Sequence, residues 1–170
     1  MKFKVYIASE LGFSEAGRSF YYKELVPKLQ ELGLEILDPW TLTPESLINE
    51  SKTSTSLEER KTKWKETNKI IAENNQKAIE SCDILLAVLD GSDPNSGVCA
   101  ELGYAAAKGK VVFAYRGDFR LCGDNEGAQV NLQVEHFIYQ TKGTISTSLT
   151  ETLETLNKYV QKANPQEQEF

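Results

Sequence analysis

Apolar positions along the chain follow two rhythms. At residues 2–8, 34–37, 83–89 and 110–115 they form short runs, β-branched or nearly continuous. Runs of this kind belong to strands covered on both faces. Between them lie longer stretches with apolar residues three or four apart, the period of a helix with one buried stripe. Phe20, Leu25, Leu29 and Leu32 mark such a stripe over residues 15–32, with Ser14 as its cap and Gly33 as its stop. Further helices are predicted over 65–81, carrying Ile70, Ile71 and Ile79, over 98–108 with Gly109 behind it, and over 146–162.

Three regions do not follow either rhythm. Residues 40–65 are polar, rich in Ser and Thr and contain Pro44; a loop with one or two short helices is expected, of the length that often forms a lid or a binding element. Residues 116–130 read as a polar, glycine-containing loop, and 131–139 as a short segment of open type. From residue 163 the chain is expected to fray. The reading is one domain over 1–162 followed by a tail over 163–170.

Strands alternating with helices imply an α/β protein: a single-domain, flavodoxin-like or Rossmann-like three-layer sandwich with a mainly parallel central sheet. Ligands of such sheets sit beyond the carboxyl ends of the strands, where the strand order reverses. With flavodoxin-like order that crevice lies between loops 9–14 and 90–97.

Composition narrows the function. The 170 residues are 40% hydrophobic and 26% charged, with a net charge of −6 and an isoelectric point near 5.0. An acidic surface repels phosphate backbones, so polymeric nucleic acid is not an expected partner, whereas an uncharged nucleoside is not excluded. The start of the chain lacks the apolar core of a signal peptide, and no run approaches a membrane span. The three cysteines, Cys82, Cys99 and Cys122, lack metal-binding spacing, so reduced thiols and a cytoplasmic location are expected. With one histidine, His136, a histidine-rich metal site is excluded, and neither a metal nor an organic cofactor is expected.

The candidate for chemistry is Glu101. It lies near the start of a helix among Val98, Cys99, Ala100, Leu102, Gly103 and Ala105. Small neighbours allow a ligand to approach the backbone, and the helix start favours an ionised carboxylate, the form needed for a covalent glycosyl intermediate. The competing reading is a solvated helix glutamate or a salt-bridge partner.

The ordered set Tyr6-Ile7-Ala8-Ser9, Gly12-Phe13-Ser14, Asp83 with its apolar strand, Asn95-Ser96-Gly97-Val98-Cys99-Ala100-Glu101-Leu102-Gly103-Tyr104-Ala105, Gly109-Lys110 and Val130-Asn131-Leu132-Gln133 resembles the nucleoside 2-deoxyribosyltransferase family. The resemblance spans roughly residues 3–140, with 40–65 outside it. It implies a glycosyltransferase of nucleotide salvage that exchanges nucleobases on a 2-deoxyribosyl group by a retaining double displacement. In that picture Glu101 attacks the anomeric carbon, Tyr6 positions it and Phe13 stacks on the base. Asn131 reaches into a neighbouring subunit's site to hold the 5′-hydroxyl, which implies a homo-oligomer. Read without the resemblance, Tyr6 is a core strand residue, Phe13 a loop aromatic and Asn131 a helix cap.

Two positions depart from the family pattern. Asn95 and Asn75 stand where aspartates are expected, and an amide can hydrogen-bond a base edge but cannot act as a general acid. Asp93 and Asp38 are the substitute carboxyls. The alternative to transfer is hydrolysis of the N-glycosidic bond of nucleosides or their 5′-monophosphates, with Ser96 and Gly97 at the helix start around a phosphate. A third reading is a non-catalytic nucleoside-binding module.

Overall fold

The computed structural model describes residues 2–53 and 55–163. Its centre is a five-stranded parallel sheet made of β1 (Lys4–Ala8), β2 (Glu35–Leu37), β3 (Ile84–Val88), β4 (Val111–Tyr115) and β5 (Ile145–Ser146), in the order β2–β1–β3–β4–β5. The order reverses between β1 and β3, which places the switch point where the sequence reading expected it.

Side chains alternate across this sheet with period two. Val5, Ile7, Ile84, Leu86, Val88 and Phe113 point to one face, where they meet Tyr21, Leu25, Leu29 and Leu156. Tyr6, Ala8, Leu85, Ala87, Leu89, Val112 and Ala114 point to the other, against Ile79, Val98, Leu102, Ala105, Val134 and Ile138. The first face is covered by α1 (Glu15–Phe20), α2 (Val26–Glu31) and α7 (Leu149–Ala163), the second by α4 (Leu57–Ser81), α5 (Ser96–Ala107) and α6 (Leu132–Gln140). Each fully buried Leu or Ile in these layers contributes about 1.5–3 kcal/mol.

Several elements differ from the sequence reading. The helix expected over 15–32 is α1 and α2 joined by one turn of π-helix, Tyr21–Leu25. Pro27 has no N–H for the carbonyl four residues back, and the ladder slackens, with the Val26 N–H donating to the Tyr21 carbonyl. Within 40–65 the chain forms α3 (Glu45–Thr53) and the first turns of α4, which starts eight residues before the expected position. The cause is a capping box in which Ser56 Oγ accepts from the Glu59 N–H and Glu59 Oε2 accepts from the Ser56 N–H. A buried hydroxyl pair, Ser51 with Thr67 at 2.8 Å, joins α3 to α4.

The segment left open at 131–139 is α6, capped by Asn131. Ser146, expected to start the last helix, belongs instead to β5: it is buried, and its carbonyl accepts from the Arg116 N–H. The helix begins three residues later, where Ser148 Oγ accepts from the Glu151 N–H. Of the tail expected from residue 163, Ala163 closes α7 and the rest lies outside the described residues. Among the described residues no helix is long and apolar enough to cross a membrane.

Candidate active site

The period of β1 decides where Tyr6 goes. Val5 and Ile7 take the α2 side, so Tyr6 projects to the α5 side and is fully buried there. On α5, Val98, Leu102 and Ala105 form the stripe that faces the sheet. Glu101 precedes Leu102 by one position and therefore lies on the flank of that stripe, half-buried. The start of α5 is fixed by Asn95, whose Oδ1 accepts from the N–H groups of Gly97 (2.9 Å) and Val98 (3.3 Å).

These placements bring three of the sequence candidates into one hydrogen-bonded group. The Tyr6 hydroxyl donates to Glu101 Oε1 at 2.8 Å, and Asn75 Nδ2 from α4 donates to the same oxygen at 3.3 Å. Both donors are neutral, and among the described residues no cation pairs with Glu101. Oε2 has no hydrogen-bond partner among the described residues.

Burial raises the Glu101 carboxyl above the ordinary glutamate range, and the donors on Tyr6 and Asn75 pull it part of the way back. Burial, and then the neighbouring Glu101 charge, drive the Tyr6 phenol far above its usual value. Tyr6 is thus a permanent donor over the physiological range.

The other candidates make no hydrogen bond to this group among the described residues. Ser96 and Gly97 are exposed at the start of α5, and Asp93 is exposed in the loop before it. Phe13 ends a short 3-10 turn, Leu11–Phe13, in the loop after β1; it is 75% exposed and packs edge-on against Trp40 with ring centroids 4.8 Å apart. Asp38, at the end of β2, accepts from Tyr21 OH (2.9 Å), Tyr22 OH (3.1 Å) and the Trp40 N–H (3.0 Å). Asn131 is not joined to the Glu101 group within the chain: its Oδ1 accepts from the Gln133 N–H and its Nδ2 donates to Asp124.

Two supporting residues have no pattern in the sequence that marks them. Trp40 lies under the first loop so closely that a Cβ on Gly12 would come within 2.2 Å of the indole. Arg116, expected only as part of a charged loop, is 3% exposed. Its guanidinium donates to the carbonyls of Leu89, Gly91 and Arg120, joining the loop after β3 to the loop after β4. Among the described residues no group of three or more His, Cys, Asp or Glu is arranged to hold a metal ion.

An α/β sheet with a half-buried carboxylate at its switch point and a tyrosine from β1 beside it is what the sequence resemblance implied; the amide of Asn75, read from the sequence as a partner of the base edge, lies instead against that carboxylate. The nucleoside 2-deoxyribosyltransferase profile matches residues 5–133, and the chain belongs to that family. No curated protein matches the sequence. Among solved structures, a conserved protein from Enterococcus faecalis V583 is 24% identical, with a TM-score of 0.68 over 94% of this chain and 99% of that one. A 2-deoxyribosyltransferase from Leishmania mexicana is 21% identical, with a TM-score of 0.64 over 94% and 99%. A CMP N-glycosidase from Clostridium botulinum is 18% identical, with a TM-score of 0.54 over 92% and 98%. These likenesses define the fold.

Proposed function

We propose that the protein moves a 2-deoxyribosyl group between nucleobases by a retaining double displacement, with Glu101 as the nucleophile. The observation that carries this reading is the asymmetry of the carboxylate. Tyr6 and Asn75 both bind Oε1, and Oε2 is left as the attacking atom. Oε2 bonds to the anomeric carbon as the glycosidic C–N bond breaks and its electron pair leaves with the base. Positive charge on the sugar develops beside the carboxylate and is stabilised by it. In the resulting ester Oε1 is a carbonyl oxygen, still an acceptor, so the same two donors hold it in both half-reactions. The incoming base attacks from the face the first base left, and the carboxylate is regenerated.

The leaving base needs a proton. Asn75 and Asn95 cannot supply one. Asp38 is occupied by three donors, which leaves Asp93 among the sequence candidates. Phe13 offers an exposed ring for stacking on the base. Asn131 serves a neighbouring subunit's sugar in a homo-oligomer.

The second reading is hydrolysis, favoured by the fold shared with the C. botulinum CMP N-glycosidase; water then replaces the second base. A nucleoside suits this site better than a monophosphate. The Gly97 and Val98 amides that a phosphate would use already bind Asn95 Oδ1.

The test is incubation with deoxyinosine and free adenine, together with mass spectrometry after a slow 2′-fluorinated nucleoside. Transfer predicts deoxyadenosine and a glycosyl adduct on the peptide carrying Glu101. Hypoxanthine without deoxyadenosine points to hydrolysis, and turnover without an adduct at Glu101 overturns the mechanism.

A further inference from the structure

Asp38 opens a tight turn, Asp38-Pro39-Trp40-Thr41, directly after β2. Its Oδ1 accepts from the Trp40 N–H at 3.0 Å, and its carbonyl accepts from the Thr41 N–H at 3.0 Å and the Thr41 hydroxyl at 3.1 Å. The same carboxylate receives the hydroxyls of Tyr21 at 2.9 Å and Tyr22 at 3.1 Å. These two tyrosines open the π-helical turn, with ring centroids 4.9 Å apart and the rings edge-on. Burial, and then the Asp38 charge, drive the Tyr21 phenol far above its usual value and push that of Tyr22 up to about 12. Both hydroxyls therefore stay donors at neutral pH, and hydrogen bonds to an ionised acceptor are the strong ones.

What this turn holds is Trp40. The indole N–H is buried and has no hydrogen-bond partner among the described residues, so no polar contact of the ring sets its place. The backbone does, through Asp38. The ring lies beneath Gly12 and edge-on to Phe13, with centroids 4.8 Å apart, and leaves Phe13 exposed.

We propose that Asp38 is a positioning residue for nucleobase binding: it clamps the Trp40 turn to Tyr21 and Tyr22 and so fixes the ring against which Phe13 packs. This rests on the reading of Phe13 as the stacking partner of the base. An aromatic side chain ordered before the ligand arrives spares the binding step the cost of ordering it.

The experiment measures the dissociation constant of 2′-deoxyadenosine by calorimetry in a Glu101→Gln background, which removes turnover. Phe13→Ala should weaken binding by about tenfold, the loss of one stacked base, and Asp38→Ala by a similar factor. In Phe13→Ala, adding Asp38→Ala should weaken binding no further, because the two act through one contact. A general loss of structure would weaken binding whether or not Phe13 is present. Asp38→Asn should restore affinity: its oxygen accepts from Trp40 and Tyr21, and its amide donates to the Tyr22 oxygen. With Glu101 intact, Asp38→Ala should raise KM for adenine, in exchange with deoxyinosine, by more than it lowers kcat. If Asp38→Ala is unfolded by circular dichroism, Tyr21→Phe combined with Tyr22→Phe takes its place in the cycle, with the same expectation. Wild-type affinity in the Asp38 or paired tyrosine variant, or a loss that persists undiminished in Phe13→Ala, overturns this inference and leaves the stacking role of Phe13 standing. Full affinity in Phe13→Ala overturns both.

Discussion

The Tyr6 hydroxyl meets Glu101 Oε1 at 2.8 Å across 95 residues of chain. The contact joins β1 to α5, the two elements that border the switch point, and it has two consequences. It orients the carboxylate, and it opposes the effect of burial by favouring the charged form.

Tyr6→Phe separates these effects. Loss of a hydrogen bond to a charged group should lower kcat/KM by about tenfold to a hundredfold. The sign of the pH effect is also fixed. Glu101 acts when ionised, its carboxyl already stands above the ordinary range, and Tyr6 is one of the groups that lowers it. Without that donor the carboxyl rises further, so the acid limb of the kcat/KM profile should move to higher pH. An acid limb unmoved in Tyr6→Phe would show that another group titrates there.

Glu101→Gln should reduce kcat by about 10⁴-fold or more while leaving the fold intact, because the new amide oxygen can still accept from Tyr6 and Asn75. It should also be the more stable protein at neutral pH. A carboxyl whose value is raised in the folded state costs stability where it is ionised, and that cost vanishes below its unfolded value, where both states are protonated. The gain in Tm of Glu101→Gln over the wild type should therefore be present near pH 8 and disappear as the pH falls to about 4. Thermal unfolding at a series of pH values gives the answer, and a gain that grows on acidification contradicts it.

Arg116→Met keeps much of the side chain's volume but removes the donors to Leu89, Gly91 and Arg120. Unpaired buried carbonyls should cost about 2–4 kcal/mol in chemical denaturation. Arg116→Lys, with one nitrogen in place of a planar fork, should recover only part of that.

Gly12→Ala would place a methyl group 2.2 Å from Cε2 of Trp40. The loop or the ring must shift, at about 1–3 kcal/mol, and Phe13 goes with it. Trp40 fluorescence read in a Trp64→Phe background should change in Gly12→Ala and stay constant in a control such as Gly97→Ala, where the added Cβ comes no closer than 3.1 Å to Asn95 Oδ1.

The central strands were legible because burial on both faces writes them as apolar runs; all five residues of β3 are buried. β5 was not, since two residues carry no period. The first eight residues of α4 were missed for the opposite reason. Of its 25 residues only Thr67, Ala78 and Ile79 are buried, which leaves no stripe to read. Its start was nevertheless written in Ser56 and Glu59, three residues apart in the manner of a capping box. At the site, Glu101 was marked by its place near a helix start among small residues, but its partners were not, since its contacts with Tyr6 and Asn75 come from elements far apart in the chain. Arg116 reads as a surface charge until the loops that bury it are placed. Trp40 is signalled only by Gly12, and only once the first loop and the end of β2 are known to be neighbours.

The wide turn at Tyr21–Leu25 amounts to one surplus residue threaded into a continuous helix. Helical residues advance about 100° each, so everything before the surplus residue is out of phase with everything after it by that angle. Leu25 and Leu29 keep their seat on the sheet, while Ser14 and the loop bearing Phe13 are set by the other side of the phase break. Excising a single residue from 21–25 would restore uniform winding and swing that loop around the helix axis. The azimuth of the first loop over the sheet is thus specified by a length, counted in residues, as well as by the contacts the loop makes with Trp40.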